Sequence, residues 1–222
     1  MSLTLYGHPL SSYCHKVLIA LHELGADFRL HQIDLSAGDD RRLMAGLTPM
    51  GKMPALRDDV AGVTLAESSI IIEWLDRHHP GRAPLLPRDP DAALAARQWD
   101  RFFDIHVMNA VQPIVDARLF MPDGAVEVVA PFARSQLDRA YAAAERQLDG
   151  RDWIAGDFGM ADCAAVPALF YAGFLHPFDD YPNLSAYFGR VLARPSVTRV
   201  LDGAKPFLHL FPCPDRIPAR FR

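Results

Sequence analysis

The stretch Met50-Gly51-Lys52-Met53-Pro54-Ala55-Leu56 constrains the fold of this chain more than any other. A polar, glycine-bearing approach leads into a residue–proline bond and then a short apolar run. X-Pro is the one bond at which a cis peptide lies within about 1 kcal/mol of trans. A cis Met53-Pro54 bond would turn the chain sharply and leave the Met53 backbone N–H and C=O facing outward beside a strand. Such an edge can pair with a short peptide as an added strand would. The plainer alternative is a trans proline opening an edge strand.

Around this stretch the pattern is that of a small α/β unit. Leu3 to Tyr6 alternates like a strand. After the loop Gly7-His8-Pro9-Leu10-Ser11-Ser12, the residues Cys14, Val17, Leu18, Leu21 and Leu24 fall at helical spacing. Gly25 sits where a left-handed cap is wanted. A second strand follows from Phe28 to Leu35, parallel to the first by the crossover rule. Asp39 to Ala45 is a short helical patch. Pro54 to Arg57 and Val63 to Ala66 form a hairpin. A helix with serine at its cap then opens at Glu67-Ser68-Ser69. The order is βαβαββα, closing near residue 79.

Residues 80–90 hold four prolines and one glycine and read as a linker. Beyond them only helices are predicted. One runs from Asp89-Pro90 through Trp99, Phe102, Phe103, Ile105 and Val107, kinked or broken near Pro113. Others span Phe132 to Leu148, Met160 to Phe174 and Leu184 to Ala193. A turn or short helix starts at Pro195, and the tail from Phe207 is irregular. The Met160–Phe174 run is apolar all round and belongs at the centre of a bundle.

Composition narrows the function. Half the residues are apolar and the net charge is −4. Lysine occurs only at Lys16, Lys52 and Lys205, and no polybasic run exists, so neither nucleic acid nor an anionic membrane is an expected partner. No apolar run approaches bilayer length. The opening residues read as a strand, not an export signal. Cys14, Cys163 and Cys213 are odd in number and far apart, which fits a reducing cytoplasm.

Three places can carry chemistry. Ser11 stands at a helix start, where free N–H groups and the dipole favour an anion, and its hydroxyl can donate to a thiolate; equally, it can simply cap the helix. Met53 offers its backbone beside Pro54. Glu67 and Ser68 open another helix and suit the ammonium and carboxylate of an amino-acid end, or form an ordinary acidic cap. A thiol, a peptide backbone and a free amino-acid end, in that order, describe glutathione. Ser11-Ser12-Tyr13-Cys14 also has the spacing of a Cys-x-x-Cys motif, but Cys14 falls on the apolar stripe and reads as core. His78-His79 read as partners of a helix C-terminus, not as metal ligands, and no metal is expected. Trp99, Phe103 and His106, with Leu10, are candidates for an apolar pocket.

These motifs, over nearly the whole chain, resemble the soluble glutathione S-transferase family. The loop into Cys14-His15-Lys16-Val17 is similar to the start of theta-, delta- and zeta-type members, whose catalytic serine falls at Ser11. Leu47 to Leu56 resembles the family's approach to its cis-proline, and Glu67 to Leu75 its γ-glutamyl site. Ala161-Asp162-Cys163 and Tyr187 through Val197 match as well. The resemblance implies a thioredoxin-like domain over residues 1–79 and an all-helical domain over 91–222. It implies a cytoplasmic homodimeric detoxification enzyme with glutathione as co-substrate. Ser11 would be catalytic. Ser12, Lys52, Met53, Pro54, Glu67 and Ser68 would hold glutathione, with Lys52, Arg41 or Arg42 at its glycyl carboxylate. A small apolar electrophile would sit near Leu10, Trp99, Phe103 and His106. A non-enzymatic adaptor of the same fold and a Cys14-dependent thiol transferase are the alternatives. Two departures stand out. Gly159 lies where the family usually has a serine or threonine cap. Tyr13 lies where the zeta-type pattern has cysteine.

Overall fold

The computed structural model describes residues 2–221. Leu3, Leu5 and Tyr6 lie in β1 (Leu3–Gly7), whose residues are buried on both faces. That pattern marks a central strand covered by helices on each side. β1 pairs in parallel with β2 (Phe28–Gln32) and antiparallel with β3 (Ala55–Asp58), which pairs antiparallel with β4 (Val63–Ala66). The sheet order is β2-β1-β3-β4. The period of two sorts β1's side chains. Leu3 and Leu5 join the cluster under α1 (Ser12–Leu24) and α3 (Ser68–His78), while Tyr6 packs with Ile33, Met44 and Ala55 toward α2 (Gly38–Leu47).

The second strand ends at Gln32, short of the expected Leu35. Ile33 N–H still reaches the Gly7 carbonyl, but the Asp34 carboxylate then accepts from the Ser36 N–H and hydroxyl and curls the chain into a turn. Gly25 caps α1 at φ 65°, as its spacing suggested.

Among the described residues only helices follow: α4 (Pro90–Phe102), α5 (Asn109–Phe120), α6 (Ala125–Gln147), α7 (Met160–Leu175), α8 (Pro182–Leu192) and α9 (Pro195–Ala204). Short 3-10 turns complete the tail. The long run does not break at Pro113, which lies inside α5. It changes register earlier, through a π-helical turn at Phe103–Met108. α6 starts upstream of its expected bound because Pro131 is accommodated within the helix. α7 is buried over almost its whole length and packs against α1 and α4. One apolar cluster runs from β1 and α1 through α7 to α8 and α9. No helix of the described residues is long and apolar enough to cross a membrane.

Candidate active site

The Met53–Pro54 peptide is cis and sits just ahead of β3. Among the described residues, the backbone N–H and C=O of Met53 have no hydrogen-bond partner. Thr48 steadies the approach, its hydroxyl donating to the Lys52 carbonyl at 3.2 Å.

Across from this bend, β4 runs into α3 through Glu67, at φ 67° and ψ 112°. A non-glycine residue in that region is strained and persists only where its surroundings hold it, commonly at ligand sites. The expected serine cap is therefore corrected. Glu67 occupies the cap position and makes no side-chain cap bond, and Ser68 is the first helical residue. The leading N–H groups of α3 are left without a side-chain acceptor, which makes a positive end suited to a carboxylate.

Met53, Pro54, Glu67, Ser68 and Lys52 line one cleft of about 350 Å³. Its far wall comes from the helical part: Arg101 at the end of α4, Asp104 and Ile105 in the π turn, and Asn109. Tyr13 joins from the first turn of α1, its phenol donating to Asn109 Oδ1 at 3.4 Å. Burial, reinforced by the charges of Asp104 and Glu67 against an opposing Arg101, pushes the Tyr13 phenol up to about 12. It is therefore a hydrogen-bond donor at neutral pH, not a base.

Behind the cleft lies a buried ionic cluster. Lys16 of α1 contacts Asp100 at 2.6 Å and Asp104 at 2.8 Å, and donates to the Ser69 hydroxyl at 2.8 Å. Ser69 in turn donates to Asp100 at 2.6 Å. Burial raises the Asp100 carboxyl, while Lys16 opposes the rise. The cluster ties the start of α3 to α1 and to the far wall.

Ser11 is the N-cap of α1, its hydroxyl oxygen accepting from the Cys14 N–H at 3.4 Å. Neither Ser11 nor Ser12 contributes to the lining of the cleft. Cys14 is fully buried, and burial pushes its thiol up to about 11 despite the adjoining Ser11 hydroxyl. Such a thiol is not a nucleophile at neutral pH. It also explains Gly7, since a Cβ there would lie 2.6 Å from the Cys14 Sγ. Among the described residues, no group of three or more His, Cys, Asp or Glu side chains is placed to hold a metal ion.

Residues 5–83 match the family model described as glutathione S-transferase, N-terminal domain, and residues 104–195 match glutathione S-transferase, C-terminal domain. A glutathione S-transferase-like protein of Fusarium is 31% identical over 165 residues, or 68% of this chain and 71% of that protein. This chain belongs to the soluble glutathione S-transferase family. Glutathione S-transferase F13 of Arabidopsis thaliana is 27% identical over 216 residues, covering 91% of this chain and 96% of its own. A solved glutathione S-transferase from Methylobacterium radiotolerans, in complex with glutathione sulfonate, is 32% identical with a TM-score of 0.75, over 89% of this chain and 93% of that one.

Within this transferase the residues expected to form the second pocket lie outside the cleft described above. Phe103 is wholly buried, Trp99 and Phe102 pack on each other, and His106 lies against Phe102. The Leu10 carbonyl accepts from the Tyr171 hydroxyl at 2.6 Å. None of Leu10, Trp99, Phe103 or His106 lines the cleft that holds Glu67 and Ser68. Arg41 and Arg42 are also absent from it. Arg41 donates to the Leu35 and Ser36 carbonyls, and Arg42 pairs with Asp39. Arg101, Asp104, Ile105 and Asn109 were missed. Their signal was a mostly polar stripe at spacings of three, four and eight, on the opposite face from the aromatic one.

Proposed function

We propose that this transferase binds glutathione in the cleft and presents its sulfur, as a thiolate, to an electrophile. The observation that carries the proposal is the convergence of Met53, Pro54, Glu67 and Ser68, far apart in sequence, on one cleft. Met53's unpartnered backbone pairs with the cysteinyl backbone. The Ser68 hydroxyl and the leading N–H groups of α3 hold the γ-glutamyl carboxylate, and Glu67 faces its ammonium. Lys52 meets the glycyl carboxylate.

Ser11 is the thiolate's donor in this reading, with Ser12 beside it at the first helical position. The Ser11 oxygen accepts from the Cys14 N–H and its hydroxyl adjoins the buried Cys14 thiol; in this reading the hydroxyl turns its proton to the bound thiolate instead. The helix start adds a positive field. The thiol proton leaves to solvent. The sulfur lone pair then forms a bond to an electrophilic carbon, and a leaving group departs with the old bonding pair. Self-association into a two-fold dimer gains support from Ile70 on α3 and Leu94 on α4, apolar side chains exposed in the single chain. The three unpaired cysteines fit a reducing cytoplasm.

The test is the ultraviolet thiolate absorbance of bound glutathione as a function of pH. Ser11→Ala should raise the bound thiol's pKa by about one to two units, each unit being about 1.4 kcal/mol. The rate at neutral pH should fall by about tenfold to a hundredfold. An unchanged thiol pKa and rate would remove Ser11 from this role, and failure of glutathione to bind would remove the whole reading.

A further inference from the structure

The far wall of the cleft is richer in donors than glutathione requires. In the reading above, both glutathione carboxylates already have partners, Ser68 with the α3 start for one and Lys52 for the other. Arg101 has no part in that grip. Its guanidinium carries five N–H donors in a planar fork. Among the described residues it makes no hydrogen bond, and its one ion contact, to Asp104, is 3.7 Å long. Asp104 is itself engaged by Lys16 at 2.8 Å, so it neutralises Arg101 only in part. The Tyr13 phenol faces the same space, and its bond to Asn109 is loose at 3.4 Å, so a better acceptor can take it over. Ile105 and Met50 supply apolar surface beside these donors.

A forked cation and a phenol donor around an apolar floor are complementary to a compact planar anion on a short carbon skeleton. We propose that the electrophile taken by this cleft carries a carboxylate, held by the Arg101 guanidinium with the Tyr13 phenol as a second donor. This departs from the apolar electrophile expected of the aromatic residues, and it rests on the glutathione reading above. Tyr13, still protonated at neutral pH, donates to the carboxylate without adding negative charge. Ile105 and Met50 touch the carbon chain between carboxylate and sulfur.

Two glutathione conjugates of nearly equal size test this by calorimetry, S-(2-carboxyethyl)glutathione and S-propylglutathione, with glutathione itself as reference. A charge-assisted hydrogen bond is worth about 1.5–3 kcal/mol, so the native protein should prefer the carboxylate conjugate by about tenfold or more. In Arg101→Gln the ratio of the two affinities should fall to within about twofold. In Tyr13→Phe it should fall several-fold. Equal affinity of the native protein for the two conjugates overturns the inference. An Arg101→Gln variant that weakens glutathione and both conjugates equally also overturns it, because Arg101 then grips glutathione. If the native protein binds none of the three, the glutathione reading falls and this inference falls with it.

Discussion

Gly159 shows how one residue's neighbours overrule its apparent role. It stands at the cap of α7, where a serine or threonine would supply an acceptor that glycine lacks. The other half of the cap is intact: Asp162 reaches back to the Gly159 N–H at 2.9 Å, and also accepts from Ile154 N–H and the Tyr187 hydroxyl. The linker explains the glycine. The Leu85 carbonyl accepts from Met160 N–H at 2.8 Å, and a Cβ on Gly159 would lie 2.5 Å from that same carbonyl oxygen. Gly159→Ser should therefore destabilise the fold by about 1–3 kcal/mol, the usual range for overpacking, although it restores a cap acceptor. Denaturant midpoints check this, and a rise in stability would show that the linker yields easily.

Among the elements, α1, α3 and α4 are joined by the buried Lys16 cluster. Removing one partner of a buried ion pair leaves an uncompensated charge and costs about 3–5 kcal/mol. Lys16→Met should lose stability on that scale in urea unfolding. Adding Asp100→Leu should recover part of the loss, because one stranded carboxylate disappears with it. A double variant less stable than the single one would show that Asp100 has partners beyond Lys16 and Ser69. The π turn belongs to the same scale. Eight residues overshoot two α-turns by most of a residue. The wider π-helical turn absorbs that excess and lets Asn109 share the cleft with Arg101. Apolar spacing at a 3.6 period does not register one inserted residue, whereas a proline is a visible interruption, so the spacing points to Pro113 instead.

Across the whole molecule, the first and last helices of the chain are tied by Glu23. It accepts from Arg194 at 2.9 and 2.6 Å and from the Ser196 hydroxyl. Arg194 also lies 3.9 Å over the Phe158 ring. Burial alone would raise the Glu23 carboxyl, but the Arg194 and Ser196 hydrogen bonds hold it below the ordinary glutamate value. A lowered folded pKa contributes stability that is present above the unfolded value and is lost as pH falls through the folded one. Glu23→Gln should thus cost about 1–2 kcal/mol at neutral pH, discounted for partial exposure. The difference from the native chain should vanish on acidification, read as denaturant midpoints across pH. A difference independent of pH would assign the loss to packing instead of charge. By itself the sequence determined the βαβαββα order, the Gly25 cap and the buried α7, because each follows from local periodicity or from a backbone preference of a few residues. It also marked Glu67 and Ser68, since a helix start is a local feature with a local electrostatic meaning. Only the tertiary structure decided which face of α4 and the π turn meets the cleft, that Ser11 stands as a cap outside its lining, and that Tyr13 and Arg101 line it together. Those facts depend on the rotation and register of helices packed across the chain, which apolar spacing alone leaves open.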